Sequence, residues 1–297
     1  MPVLAGAGGT TEPGSTGPSL GLQSSVRSGV SLAEIDAPSA AIIAASLFLV
    51  SAACTACGVR GDQGNSSLGR ASGSDRSAPI LLFTGTGTSP NDVKAVEAIL
   101  RSNGLIYSTV NTSQLNQMGE SQIQQHRLLI VPGGNFVEMG AGLTPGATTN
   151  VRNAVEAGVN YLGICAGGFL AGNYRAPYNG FDLTSGARFR FYVPEGRGIH
   201  KAVVPIATVG APTLDQYWED GPEFTGWGTV IGKYPDGTPA IVEGMLGSGW
   251  VILSGVHAEA PESWRHGMTF STPASVDNAF AFTLIHAALN HISLSHF

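Results

Sequence analysis

The chain has 297 residues, of which 12% are charged and 41 are glycine, with a formal net charge of -6. That composition describes a turn-rich globular protein and supplies no basic stripe for nucleic acid. Three cysteines are too few for a disulfide framework, and two of them, Cys54 and Cys57, sit together after an apolar run, which leaves Cys165 alone in the rest of the chain.

In chain order, residues 1–39 are rich in Gly, Ser, Pro and Thr without helical or strand periodicity, and read as disordered or as a start codon placed too early. Residues 40–57 hold an apolar stretch, Ala40 to Ala53, too short for a membrane span and matched to a signal-peptide core. Small residues before a cysteine, Ser51-Ala52-Ala53-Cys54, resemble the lipobox of bacterial lipoproteins, with Cys54 as the lipidated residue, although Glu34 and Asp36 rather than basic residues precede the run. The expectation is export, with membrane anchoring through Cys54; a cytoplasmic location is the alternative. A redox or zinc role for Cys54 and Cys57 is disfavoured, because no second Cys pair or nearby His completes it. The polar residues 58–77 read as a linker.

From Ala78 short apolar runs alternate with helical segments, the pattern of a parallel sheet covered on both faces. Ile80 to Phe83 is a buried strand, and Ser89 and Pro90 cap and start a helix that Asn103-Gly104 stops. Strands follow at Ile106 to Val110 and Leu128 to Val131, then a helix near Thr148 to Ala157 and a strand at Tyr161 to Ile164. Ala202 to Ile206, Gly228 to Lys233, Ala240 to Glu243 and Trp250 to Ser254 read as further strands, and Val276 to Leu289 as a closing helix. The predicted architecture is a single α/β domain over 78–297, about 220 residues, built as a three-layer α/β/α sandwich with a mostly parallel, flavodoxin-like sheet.

The chemistry concentrates at strand ends. Gly163-Ile164-Cys165-Ala166-Gly167 has the form Gly-x-nucleophile-x-Gly, whose small residues permit a strained strand-to-helix turn presenting the nucleophile. His257 follows an apolar strand and emerges at the same sheet edge; Glu259, two residues on, leaves an extended chain on the same side, placed to hold the imidazole. Pro132-Gly133-Gly134 ends another strand, so Gly134 and Ala166 are candidate oxyanion donors through their N–H groups. Gly133, Phe169 and Tyr174 are candidate substrate contacts. Thr84-Gly85-Thr86-Gly87-Thr88 lacks the Gly-Lys-Ser/Thr ending of a phosphate loop and reads as a turn bordering the site. Asn173-Tyr174-Arg175 and Tyr217-Trp218-Glu219-Asp220 offer aromatic and charged groups for a pocket, with exposed loop or core packing the plainer account. His200, His257 and His266 show no ligand spacing, so neither a metal nor a cofactor is expected.

Val131-Pro132-Gly133-Gly134, the run Gly163 to Gly168 and His257-Ala258-Glu259 resemble, in order and spacing, the class I glutamine amidotransferase-like superfamily. Within it the chain is most similar to the biotin-protein ligase N-terminal domain family, through Tyr161 to Gly168, Gly221 to Phe224 and Ile252 to His257. The resemblance covers about Ala78 to His291. It implies a nucleophile at Cys165, a base at His257, an orienting acid at Glu259 and oxyanion donors at Gly134 and Ala166. Glutamine-hydrolysing members usually carry Gln four residues after the cysteine, where this chain has Phe169, and nothing C-terminal to the sheet reads as a ligase catalytic region. The expectation is therefore a cysteine hydrolase of a small-molecule or peptide amide, ester or peptide bond, and not a biotin ligase. Alternatives are a ligand- or partner-binding module with a degenerate site and a glutaminase subunit with a separate synthase.

Overall fold

The computed structural model describes residues 77–193 and 200–297. The expected disordered, signal-like and linker segments, Ser77 apart, lie outside these residues, as does Cys54. No helix among the described residues is long and apolar enough to cross a membrane.

Chain order begins β1 (Ile80–Phe83), α1 (Pro90–Ser102), β2 (Tyr107–Val110), α2 (Thr112–Gln117), α3 (Glu120–Ile123), β3 (Leu128–Val131), α4 (Phe136–Gly142), α5 (Pro145–Glu156), β4 (Asn160–Ile164) and α6 (Ala166–Leu170). It continues through β5 (Arg188–Phe191), β6 (Lys201–Thr208), β7 (Leu214–Glu219), β8 (Pro222–Thr225), β9 (Thr229–Lys233), β10 (Pro239–Leu246) and β11 (Gly249–Ser254) to α7 (Ala274–Asn290). One sheet of order β2-β1-β3-β4-β11-β10-β9-β6-β7 runs through the molecule, and β5 and β8 pair separately. From β2 to β11 every pairing is parallel. From β11 to β7 the sheet continues antiparallel, because β9 to β11 follow one another through tight turns that leave no chain for crossover helices.

The alternation of side chains along each strand fixes which helix covers which face. Ile80, Leu82, Leu128, Ile130, Leu162, Ile164 and Ile252 pack with Val96 and Leu100 of α1 and Leu284, Ile285 and Ala288 of α7. Their neighbours Leu81, Phe83, Leu129, Val131, Tyr161, Val251 and Leu253 pack instead with Val151, Ala154 and Val155 of α5, Met139 of α4 and Leu170 of α6. Both faces of the parallel strands are therefore apolar, which is why their sequences read as unbroken hydrophobic runs. Local signals hold where they are strongest. Ser89 caps α1 by accepting from the Asp92 N–H, Pro90 occupies its first turn and Asn103 ends it.

Two differences from the sequence expectation bear on the site. Tyr217-Trp218-Glu219 is the end of edge strand β7, with Trp218 packed in the core and Tyr217 and Glu219 lining the cavity, so the pocket and core-packing readings apply and the loop reading does not. Tyr174 belongs to a different part of the molecule from Cys165 and borders a separate cavity.

Candidate active site

Sites in open parallel sheets form beyond the strands' C-terminal ends, near the point where strand order reverses, and here that point lies between β1 and β3. The loops after β1, β3, β4 and β11 converge on one cavity of about 500 Å³. Among its lining residues are Asp92, Gly134, Asn135, Cys165, His257 and Trp264, with Lys201, Tyr217 and Glu219 supplied by β6 and β7.

Cys165 sits between β4 and α6 at φ 49° and ψ -105°, a conformation that costs a non-glycine residue on the order of 1–3 kcal/mol. Its surroundings hold it there. The Cys165 N–H donates to Ser254 O at 2.7 Å, joining the elbow to the end of β11. Gly167 passes so close to the Val131 carbonyl that any Cβ would collide with it. The Cys165 side chain is nearly buried, and Sγ lies 3.5 Å from the Glu219 carbonyl oxygen as its hydrogen-bond donor.

His257 is buried and lines the same cavity, fixed through its own N–H to Tyr217 O at 2.8 Å and edge-on to the rings of Tyr217 and Trp264. Nδ1 lies 2.9 Å from Glu259 Oε1, which assigns the proton to Nδ1, since a carboxylate can only accept. Nε2 is buried with no hydrogen-bond partner among the described residues. A second carboxylate, absent from the sequence expectation, stands at the same nitrogen: Asp92 Oδ1 from the first turn of α1, 3.1 Å from Nδ1 and itself without a hydrogen bond. The signal present in the sequence is an acidic residue in the first turn of a helix that starts at a parallel strand's C-terminal edge, a pattern that helix capping alone also produces.

Burial by itself would discharge the imidazole, but the charges at Glu259 and Asp92 and the neighbouring Cys165 outweigh it and hold His257 well above the ordinary imidazole range. Burial raises the Glu259 carboxyl despite its pairing with His257. Asp92 is buried too, yet the charge of the neighbouring His257 leaves its carboxyl below the usual value.

The oxyanion candidates lie where strand ends permit. Gly134, at φ +144° and placed where any Cβ would collide with the Gly87 carbonyl oxygen, lines the cavity. Ala166 is the first residue of α6. Neither N–H donates a hydrogen bond among the described residues. The turn from Thr84 to Thr88 does not line this cavity but supports its rim: Gly87 O accepts from the Asn135 N–H at 2.8 Å. Gly133 touches the catalytic candidates rather than the cavity, since a Cβ there would fall 2.7 Å from His257 Cε1 and nearer still to Asp92 Oδ1.

Neither the Phe169 nor the Tyr174 side chain lines the cavity that Cys165 borders. The α6 helix turns Phe169 away from the cavity into an aromatic cluster, stacked on Phe136 with centroids 4.6 Å apart and 4.9 Å from Phe191. Tyr174 packs on Phe136 and Tyr178 and borders a separate cavity of about 290 Å³ with Asp182, Thr184 and Phe189. Burial pushes its hydroxyl up to about 12. Asp92, His257 and Glu259 also place three ligand-type atoms within 4.8 Å of one another, but the short contacts at Nδ1 are those of a proton held by carboxylates.

Residues 78–198 match the family model described as biotin-protein ligase, N terminal. No curated protein matches the chain. Among solved structures, similarity extends to PurLQS from Thermotoga maritima, at 17% identity over 70% of this chain and 99% of that one, with a TM-score of 0.41. A protein described as one of the GMP synthase subunits of Thermoplasma acidophilum matches at 13% identity over 72% and 96%, TM-score 0.46. A β-galactosidase from Bacillus circulans sp. alkalophilus matches at 14% identity, TM-score 0.44, over 70% of this chain but only 31% of its own length. Likenesses of this strength carry no argument about residues or substrates.

Proposed function

We propose, from the match of residues 78–198 to the biotin-protein ligase N-terminal family and from the geometry around Cys165, that the chain is a cysteine-nucleophile amidase on a three-layer, class I glutamine amidotransferase-like domain. The observation that carries this reading is one cavity lined by both Cys165, on a strained turn, and His257, whose Nδ1 is held by Glu259 while Nε2 has no partner among the described residues. In the proposed reaction the Cys165 thiolate attacks the substrate carbonyl carbon, forming a C–S bond and an oxyanion that the N–H groups of Gly134 and Ala166 receive. As the C–N bond breaks, His257 delivers a proton from Nε2 to the departing nitrogen. Water then attacks the thioester, giving a proton back to His257, and the C–S bond breaks to release the carboxylic acid and restore the Cys165 thiolate. An imidazole held protonated suits an amide, whose nitrogen leaves poorly unless protonated, better than an ester. The substrate is read as a small molecule or peptide. No observation favours glutamine, since Phe169 occupies the aromatic cluster instead of the cavity.

The test is a screen of amide and peptide substrates on the purified chain by mass spectrometry. The reading expects a thioester on Cys165 and hydrolysis lost in a folded Cys165→Ala; equal hydrolysis by that variant would overturn it. Export and lipidation at Cys54 are proposed on the residues preceding it. They expect Cys54→Ser to release the protein from membranes, and unchanged partitioning would remove them.

A further inference from the structure

We infer that Asp92 is a second positioning acid for His257, acting with Glu259 so that the imidazole is held between two carboxylates supplied by opposite ends of the domain's sequence. The inference rests on the hydrolase reading and deepens it. Glu259 Oε1 and Asp92 Oδ1 lie 2.9 Å and 3.1 Å from the same Nδ1, and all three side chains are buried. Nδ1 carries one proton, which donates to Glu259. Asp92 Oδ1 is left buried with no hydrogen bond, an arrangement that costs on the order of 1–3 kcal/mol unless a nearby positive charge compensates it. An imidazolium at His257 supplies that charge. The loop after β3 is shaped around the contact, because Gly133 leaves no room for a Cβ between Asp92 and His257. The helix that carries Asp92 is anchored at the same point, with the Ser89 N–H donating to Gly133 O at 3.0 Å.

The consequence is a proton retained on His257 beside the nucleophile, ready for the leaving group. The ionisable groups that act on the ring are Asp92 from α1, Glu259 after β11 and Cys165 at the elbow, and on another side stands Tyr217 of β7. Of these, Asp92 and Glu259 are the anions at Nδ1. Removing either therefore shifts His257 toward the neutral form, and the shift separates a positioning role from a packing one.

The experiment is an NMR titration of the His257 ring in the full-length chain, its signal assigned by loss in His257→Ala. Asp92→Asn and Glu259→Gln are each expected to lower the His257 midpoint by about one pH unit or more, a tenfold weaker hold on the proton. Asp92→Ser, which removes the same charge with a smaller side chain, serves if the Asn variant does not fold. A midpoint moved by Glu259→Gln but untouched by either Asp92 variant overturns the inference and leaves the hydrolase reading standing. Cys165 alkylation indifferent to His257→Ala would instead remove the reading itself, and the positioning role with it.

Discussion

Gly133→Ala perturbs the contact between the two acids and the imidazole without altering any of the three. The added methyl would fall 2.7 Å from His257 Cε1 and closer to Asp92 Oδ1, well inside ordinary contact, and no positive φ complicates the comparison. Neither neighbour has room to retreat, for His257 and Asp92 are 4% and 6% exposed. Overpacking of this kind costs about 1–3 kcal/mol. Displacing a reacting group by about 1 Å costs on the order of 100-fold in rate. We therefore predict a loss of about 1–3 kcal/mol in denaturant unfolding and a drop of roughly 10- to 100-fold in the rate of Cys165 alkylation at neutral pH, read by mass spectrometry of the Cys165 peptide. Gly146→Ala is the control: it lies in the first turn of α5 with only the Thr144 hydroxyl, 4.0 Å away, near the new methyl, and should stabilise by about 0.5–1 kcal/mol. Gly133→Ala with native stability and a native alkylation rate would refute the reasoning.

Three further outcomes are expected. Phe169→Gln should cost about 3 kcal/mol by placing an amide in the aromatic cluster, and should not create ammonia release from glutamine; a stable variant that releases ammonia would contradict this. Asp277→Ala should cost about 3–5 kcal/mol by leaving Arg265 buried and unpaired, and a loss under about 1 kcal/mol in urea unfolding would count against it. Because His257 titrates higher folded than unfolded, its stabilisation is complete below its unfolded value of about 6.5 and is lost as pH rises through the folded value. The stability gap between the native chain and His257→Gln should thus be widest near about pH 6 and shrink under alkaline conditions, whereas a flat or widening gap would contradict the charge assigned to His257.

The parallel half of the sheet was legible because burial on both faces writes itself as uninterrupted apolar runs, and because Ser89-Pro90 and Asn103 punctuate α1 by local chemistry alone. Cys165 and His257 were legible from the same source: residues following such strands must emerge at one edge. Strand β7 was not. Its Asp215 and Glu219 flank the buried run Gln216-Tyr217-Trp218, and a strand so rich in polar and aromatic residues lacks the uninterrupted aliphatic run by which the parallel strands are read. Asp92 escaped because a helix-capping role and a place beside His257 look identical in sequence; only the approach of α1 to the loop after β11 distinguishes them. Phe169 and Tyr174 were misplaced for the opposite reason, since proximity along the chain to Cys165 says nothing about which way a short helix turns its side chains.

The most direct measurement is the pH dependence of Cys165 alkylation by iodoacetamide, followed at the Cys165 peptide in the native chain and in His257→Ala. The account predicts rapid alkylation across neutral pH in the native chain and, without His257, a rate at least about tenfold lower at pH 7 that recovers only as the medium becomes alkaline. A thiol that reacts slowly and identically in both would contradict the central claim that Cys165 and His257 form one nucleophilic unit.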